Sequence, residues 1–262
     1  MVPLSTRRML IAALAFSGIA FPAAHAASGG TSTTLAEQYL LSAANQERAA
    51  LGLRPLRRDP LLALAAQDHA RAMAARATIS HHFPGEPELA ARASAAGVRF
   101  SVVEENVGEA PSALTIHELW MRSPHHRDNL LDPAVDCAGI SVIARNGQLY
   151  AVEDFAKTVQ PASFAEQETA IAGLVSQRGL TILDTDSSIV AARQTCTMST
   201  GYAGARKPWF VMRFTADTLN ALPAELTTRI ASGRFHQAAI GACANATATP
   251  FTSYSLAVLL YP

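Results

Sequence analysis

The chain has 262 residues, 49% of them hydrophobic and 16% charged, and its 21 Lys and Arg balance its 21 Asp and Glu. That length and apolar content can bury a sizeable core and exclude wholesale disorder. Balanced charge without a basic stripe excludes a nucleic-acid footprint.

Residues 1–26 read as a secretory signal. Arg7 and Arg8 supply the charge, residues 9–21 the apolar run, and Ala24-His25-Ala26 the small-x-small cleavage pattern. The run is short for a bilayer span, which needs roughly 20 residues, although a retained anchor is the alternative. Thr6-Arg7-Arg8 also resembles a twin-arginine leader. Export by Sec or Tat to a secreted or periplasmic location is therefore expected. No later apolar run is long enough to cross a membrane. Residues 27–34, ASGGTSTT, are a polar linker.

From Leu35 the texture changes. Leu35, Tyr39, Leu40, Ala43 and Ala44 recur at helical spacing until Gly52 and Pro55. Asp59-Pro60 pairs a good N-cap with a good first helical residue and opens an Ala-rich helix to about Arg76. Pro84, Gly85 and Pro87 mark a loop, residues 89–96 a short helix, and residues 98–107 a strand. Residues 112–121 read as a helix with Leu114, Leu119 and Trp120 on its apolar side, followed by a loop carrying His125 and His126 and the turn Asp132-Pro133. Two strands, residues 139–144 and 148–155, flank Asn146-Gly147, the strongest short hairpin signal.

Residues 157–162 look like a boundary. Ser163 and Glu166 then form a capping-box pattern for a helix ending near Gly179. Strands at 209–214, 235–244 and 253–261 and a helix at 222–232 complete a smaller α+β module of ordinary domain size, with no short-period repeat. Of the three cysteines, Cys196 and Cys243 both fall in this module and are the expected disulfide, while Cys137 reads as a small buried thiol.

Three polar clusters in the first module are candidates for chemistry: Ser80-His81-His82, Glu104-Glu105-Asn106 and His125-His126-Arg127. Two neutral imidazoles and a carboxylate suit a divalent metal, Zn²⁺ above all, or general acid–base work. Each cluster alone reads more simply as solvated surface. Glu153 and Asp154 adjoin on the last strand, where alternation of faces leaves at least one at the surface.

The stretches NQERAALGLRPLRRDPLLALAAQDHARAMA, SHH, EENVG, LWMRSPHHRDNLLDP and AGISVIARNGQLYAVEDF, in that order across residues 40–155, resemble the bacterial branch of the CAP superfamily. This superfamily, also called SCP-like, comprises cysteine-rich secretory, antigen 5 and pathogenesis-related proteins. The resemblance implies an α+β fold: an α-β-α sandwich with an antiparallel sheet over residues 35–157, followed by the accessory module at 163–262. It also implies a shallow cleft of two His and two Glu. Its first His falls on His81, its first Glu on Glu105 and its second His on His126, with His125 a neighbour. The fourth member is replaced by Ser123, and Glu104 stands where Gly is usual. A three-residue cleft of His81, Glu105 and His126 implies a binding module, not an enzyme, for a divalent metal such as Zn²⁺, a small molecule, a lipid or a cell-envelope component. A hydrolase in which His126 or Glu105 activates water is a second expectation, and a structural envelope protein with a vestigial cleft a third.

Overall fold

The computed structural model describes residues 33–245 and 249–262. The signal and most of the linker lie outside the described residues. Thr34, read above as linker, instead opens the fold. Its hydroxyl accepts the Glu37 N–H while the Glu37 carboxylate accepts the Thr34 N–H, a capping box that starts α1 (Leu35–Ala50). β1 (Arg57–Arg58) follows. Asp59 then caps α2 (Pro60–Arg76) by accepting the Leu61 and Leu62 N–H groups. Next come α3 (Leu89–Ala95), β2 (Phe100–Ala110), α4 (Ala113–Arg122), α5 (Pro124–Leu131), β3 (Cys137–Arg145) and β4 (Gln148–Thr158).

The four strands lie in the order β1-β3-β4-β2. All pairings are antiparallel except the two-residue parallel contact of β1 with β3. Asn146 and Gly147, at φ 50 and 77, make the tight turn of the β3–β4 hairpin. Helix α2 covers one face through Ala66, Ala70 and Met73, packed on Val107, Tyr150 and Val152. Helices α1, α4 and α5 cover the other through Leu40, Ile116, Trp120 and Leu130, packed on Ile140, Ala151 and Phe155. Gly139 is the seat of α2 on β3: a Cβ there would lie 2.3 Å from the Ala63 nitrogen. Arg48 is buried at the end of α1, and its guanidinium donates to the carbonyls of Arg54, Leu130, Asp132 and Val135. A buried cation is tolerated because every contact it makes is a hydrogen bond.

Three expectations need correction. His125 and His126 lie in the first turn of α5, not in a loop. Leu114 and Leu119 face solvent at 53% and 49% exposure, and the buried face of α4 is Ala113, Ile116, His117 and Trp120. The sheet is antiparallel only over β3, β4 and β2.

The second half contains α6 (Phe164–Ser176), β5 (Thr181–Ile182), α7 (Asp186–Thr197), β6 (Phe210–Ala216), α8 (Ala224–Ala231), β7 (Gln237–Cys243) and β8 (Tyr254–Tyr261). Its sheet order is β5-β7-β8-β6, with β5 parallel to β7 and the rest antiparallel. The fold class is therefore α+β with two sheets. Ser163 and Glu166 form the expected capping box, and the Cys196–Cys243 disulfide joins α7 to the end of β7. Helix α7 has no counterpart among the sequence expectations. The Cys137 thiol is buried and free, and burial pushes it up to about 12. Among the described residues no helix is long and apolar enough to cross a membrane.

Candidate functional site

The site forms on β2, the outer strand of the first sheet. An edge strand leaves one row of backbone groups unpaired, and here side chains from α4 and α5 take them up. Trp120 Nε1 donates to the Val107 carbonyl at 2.9 Å, and Asn129 Nδ2 to the Glu105 carbonyl at 3.1 Å. Asn129 Nδ2 also meets Asn106 Oδ1 at 3.0 Å, and Asn106 Nδ2 donates to the His126 carbonyl at 2.9 Å. These bonds hang the first turn of α5 on β2 and fix where His126 stands.

His81 arrives from the opposite face, in the turn after α2. His69 on α2 is fully buried, and its Nε2 donates to the Ser80 carbonyl at 2.7 Å, which anchors that turn. The His81 and His126 rings come together with centroids 6.4 Å apart and planes tilted by 31°. His81 Nδ1 lies 2.9 Å from Glu105 Oε1. Glu105 itself is buried, and its second oxygen accepts from Arg92 Nη2. Arg92, from α3, is buried as well and donates to the Pro87 carbonyl. Behind it, His69 Nδ1 meets Glu86 Oε1 at 2.7 Å.

The structure brings the three expected residues, His81, Glu105 and His126, to one place. Their support, His69, Glu86 and Arg92, was not anticipated. Only His69 left a signal: a polar residue on the apolar stripe of Ala66, Ala70 and Met73. Glu86 and Arg92 sit in a loop and a short helix whose docking is tertiary.

The surroundings drive the two imidazoles apart in proton affinity. The hydrogen bond to Glu105 raises His81 above the usual histidine value. Burial, then the charges of His81 and His125, lower His126. Environments that split like groups this way mark an acid and a base. Beneath them the sheet stores neutral acid. Asp154 stands opposite Glu105 in the ladder, and Glu153 opposite Asn106. Both are fully buried; neither Glu153 oxygen has a hydrogen-bond partner among the described residues, while Asp154 lies against the Glu105 carboxylate. Burial pushes Glu153 up to about 8, and burial reinforced by the Glu105 charge holds Asp154 well above the carboxylate range. The expectation that one of them faces solvent fails because β4 is an inner strand: alternation exchanges one helix-covered face for the other. Glu104, on the α5 side, is raised to about 7 by burial and by Asp132.

The donor set does not match zinc. Among the described residues no group of three or more His, Cys, Asp or Glu is placed to hold a metal ion. Both Glu105 oxygens are engaged, and two imidazoles alone fall short of the three or four protein ligands of a zinc site. Ser123 caps nothing with its hydroxyl.

The family model of the cysteine-rich secretory proteins, CAP, matches residues 41–155. This segment belongs to the CAP family. The CAP domain is similar to an outer surface protein of Borrelia burgdorferi at 22% identity, covering 48% of this chain and 95% of that one with a TM-score of 0.45. An extracellular SCP-domain protein of Bacillus anthracis is 24% identical over 46% of this chain and 40% of its own, with a TM-score of 0.43. A cysteine-rich secretory protein of Staphylococcus aureus is 25% identical over 46% and 38%, with a TM-score of 0.39. No curated protein is significantly similar to the chain.

Proposed function

We propose that the chain is an exported binding module whose CAP cleft holds a small polar ligand between His81 and His126 without transforming it. The observation that carries this is the pair of imidazoles 6.4 Å apart with opposite proton preferences. His81, braced on Glu105, holds its second proton to higher pH than His126 does, so His81 is the donor of the pair and His126 the acceptor. Such a pair suits a ligand presenting an acceptor beside a hydroxyl or amide donor, as fragments of a cell envelope do. Export fits the N-terminal sequence pattern and the Cys196–Cys243 bridge, since disulfides persist in oxidising compartments.

The hydrolase alternative is less well supported. Among the described residues no hydroxyl or thiol is hydrogen-bonded to His81, His126 or Glu105, so no nucleophile–base pair stands ready. Both Glu105 oxygens are already bonded, to His81 and Arg92, which leaves His126 as the single candidate base.

Imidazole NMR tests the reading. His81 is expected to titrate above His126, and Glu105→Gln to pull His81 down while leaving His126 nearly unchanged. Both rings are expected to shift on titration with soluble envelope sugars or short peptides. Two rings that titrate together, or that stay still across such a panel, would refute it. Calorimetry with Zn²⁺ is expected to show no stoichiometric binding that depends on His81 and His126; a tight site abolished by His81→Ala would overturn the metal-free reading.

A further inference from the structure

Apart from α3 and α5, which the second half lacks, the two halves of the chain run through the same elements: helix, two-residue parallel strand, helix, edge strand, helix, hairpin. Thr34-Leu35-Ala36-Glu37-Gln38 opens one and Ser163-Phe164-Ala165-Glu166-Gln167 the other, each on a capping box. The short parallel strand ends early in both, which would leave the next N–H of the adjoining strand bare. Glu37 accepts that N–H from Val142 at 3.1 Å, and Glu168 accepts it from Ala242 at 2.9 Å. The ladders make Val142 and Ala242 the same position. By the same registers Glu105, Asn106, Glu153 and Asp154 correspond to Val211, Met212, Val258 and Leu259. The second half therefore has the first half's topology and none of its cleft acids.

The outer strand shows the consequence. On β2 the middle residues Glu105, Asn106 and Val107 are buried, Val107 under α2 and Glu105 against Arg92 of α3, and Asn129 and Trp120 from α5 and α4 bond to the edge carbonyls. The second half has no counterpart of α5. Among the described residues β6 hydrogen-bonds through its backbone to β8 alone. Its side chains are half-buried except the exposed Thr215: Phe210, Met212 and Phe214 pack on one core cluster and Val211 on the other, so that the opening lies at the backbone edge. Trp209, just before it, is 59% exposed. The strand's only charge, Arg213, is tied back to the Thr195 and Gly201 carbonyls and does not guard the edge. An edge strand with its outer row of backbone groups open is a template for another strand.

We propose that two copies of this chain pair antiparallel through β6 about a two-fold axis, joining their second sheets into one. Each copy offers the other an identical open edge, and antiparallel self-pairing closes under two-fold symmetry without any third component. Diversion of Arg213 leaves no like charges facing across the seam. The surface that carries the cleft in the first half would thus be an interface in the second.

Sedimentation and light scattering on the full chain test this, with amide exchange as a local probe. A concentration-dependent dimer is expected, with β6 amides slowing as it forms. Met212→Lys and Thr215→Lys are each expected to weaken dimerisation by about tenfold or more. Thr215 is already exposed, so its variant keeps the test valid where Met212→Lys fails to fold, and circular dichroism verifies the fold of both. Leu114→Lys, on the exposed face of α4, is expected to leave the dimer intact. A chain that is monomeric at every concentration, or a dimer indifferent to both β6 variants, overturns the proposal. So does a monomer whose β6 amides are already protected, because another segment of the same chain would then occupy the edge.

Discussion

Glu153 shows how one residue can set the pH response of the fold. Its carboxyl is fully buried, unpartnered and pushed up to about 8, against an ordinary 4.5. The folded chain keeps a proton that the unfolded chain releases, so this group's contribution is intact below the ordinary value. It is lost as pH rises toward 8. Glu104, raised to about 7, acts with the same sign. Stability is therefore expected to fall between about pH 5 and about pH 8. Glu153→Gln is expected to flatten that fall by an amount on the order of 4 kcal/mol, measured by denaturant unfolding at both ends of the range. An unchanged slope would mean the acid is solvated or paired. At this scale the meeting of His81, Glu105 and His126 was legible through the family resemblance, because each cluster alone reads as solvated surface. The protonation of Glu153 and Asp154 was not, because it depends on what covers β4.

Elements were legible where local chemistry specifies them: the caps at Asp59 and Ser163, and the Asn146-Gly147 turn. They were missed where packing supplies the order. Helix α5, with the mostly polar sequence PHHRDNLL, holds its place through Asn129, the Asn106–His126 bond and the buried Leu130 at its end, with no apolar stripe along its length. Helix α7 buries little beyond Ala192 and Thr195, and lies against β7, where a Cβ on Gly241 would come 2.1 Å from the Ala192 carbonyl carbon. Gly139 plays the same part under α2. Gly139→Ala is expected to force α2 off the sheet and to cost about 3 kcal/mol or more. The equivalent change at Gly241 is expected to act similarly on α7. A chemical-denaturation midpoint unmoved by Gly139→Ala would show that the close approach can relax.

Across the whole molecule, the two sheets belong to one contact unit, Thr33–Pro262, though each has its own core. Asp217 accepts from Lys157 and from Ser101 at 3.1 Å, Phe251 meets Phe100 edge-on at 5.2 Å, and the Thr252 N–H donates to the Phe100 carbonyl. The hydrogen bond from Lys157 holds Asp217 below its ordinary value. That support is present above the ordinary aspartate range and is lost as pH falls through the lowered value. Asp217→Ala is expected to loosen the tie, so that a single calorimetric transition at neutral pH broadens or divides into two. A transition as sharp as wild type would assign the coupling to the aromatic contact instead.

Local patterns in the chain were enough for the class of fold, the boundaries of most elements and the disulfide pair, and the family resemblance for the meeting of His81, Glu105 and His126. These rest on interactions between neighbours or on a motif with few alternatives. Only the assembled fold could reveal that Arg92, Glu86 and His69 brace Glu105, that two acids lie buried under helices, and that one topology occurs twice with its three acids and Asn106 exchanged for Val211, Val258, Leu259 and Met212. Each depends on residues distant in sequence meeting across a sheet, and burial of a strand face is a property of the layers on it, not of the strand's own residues.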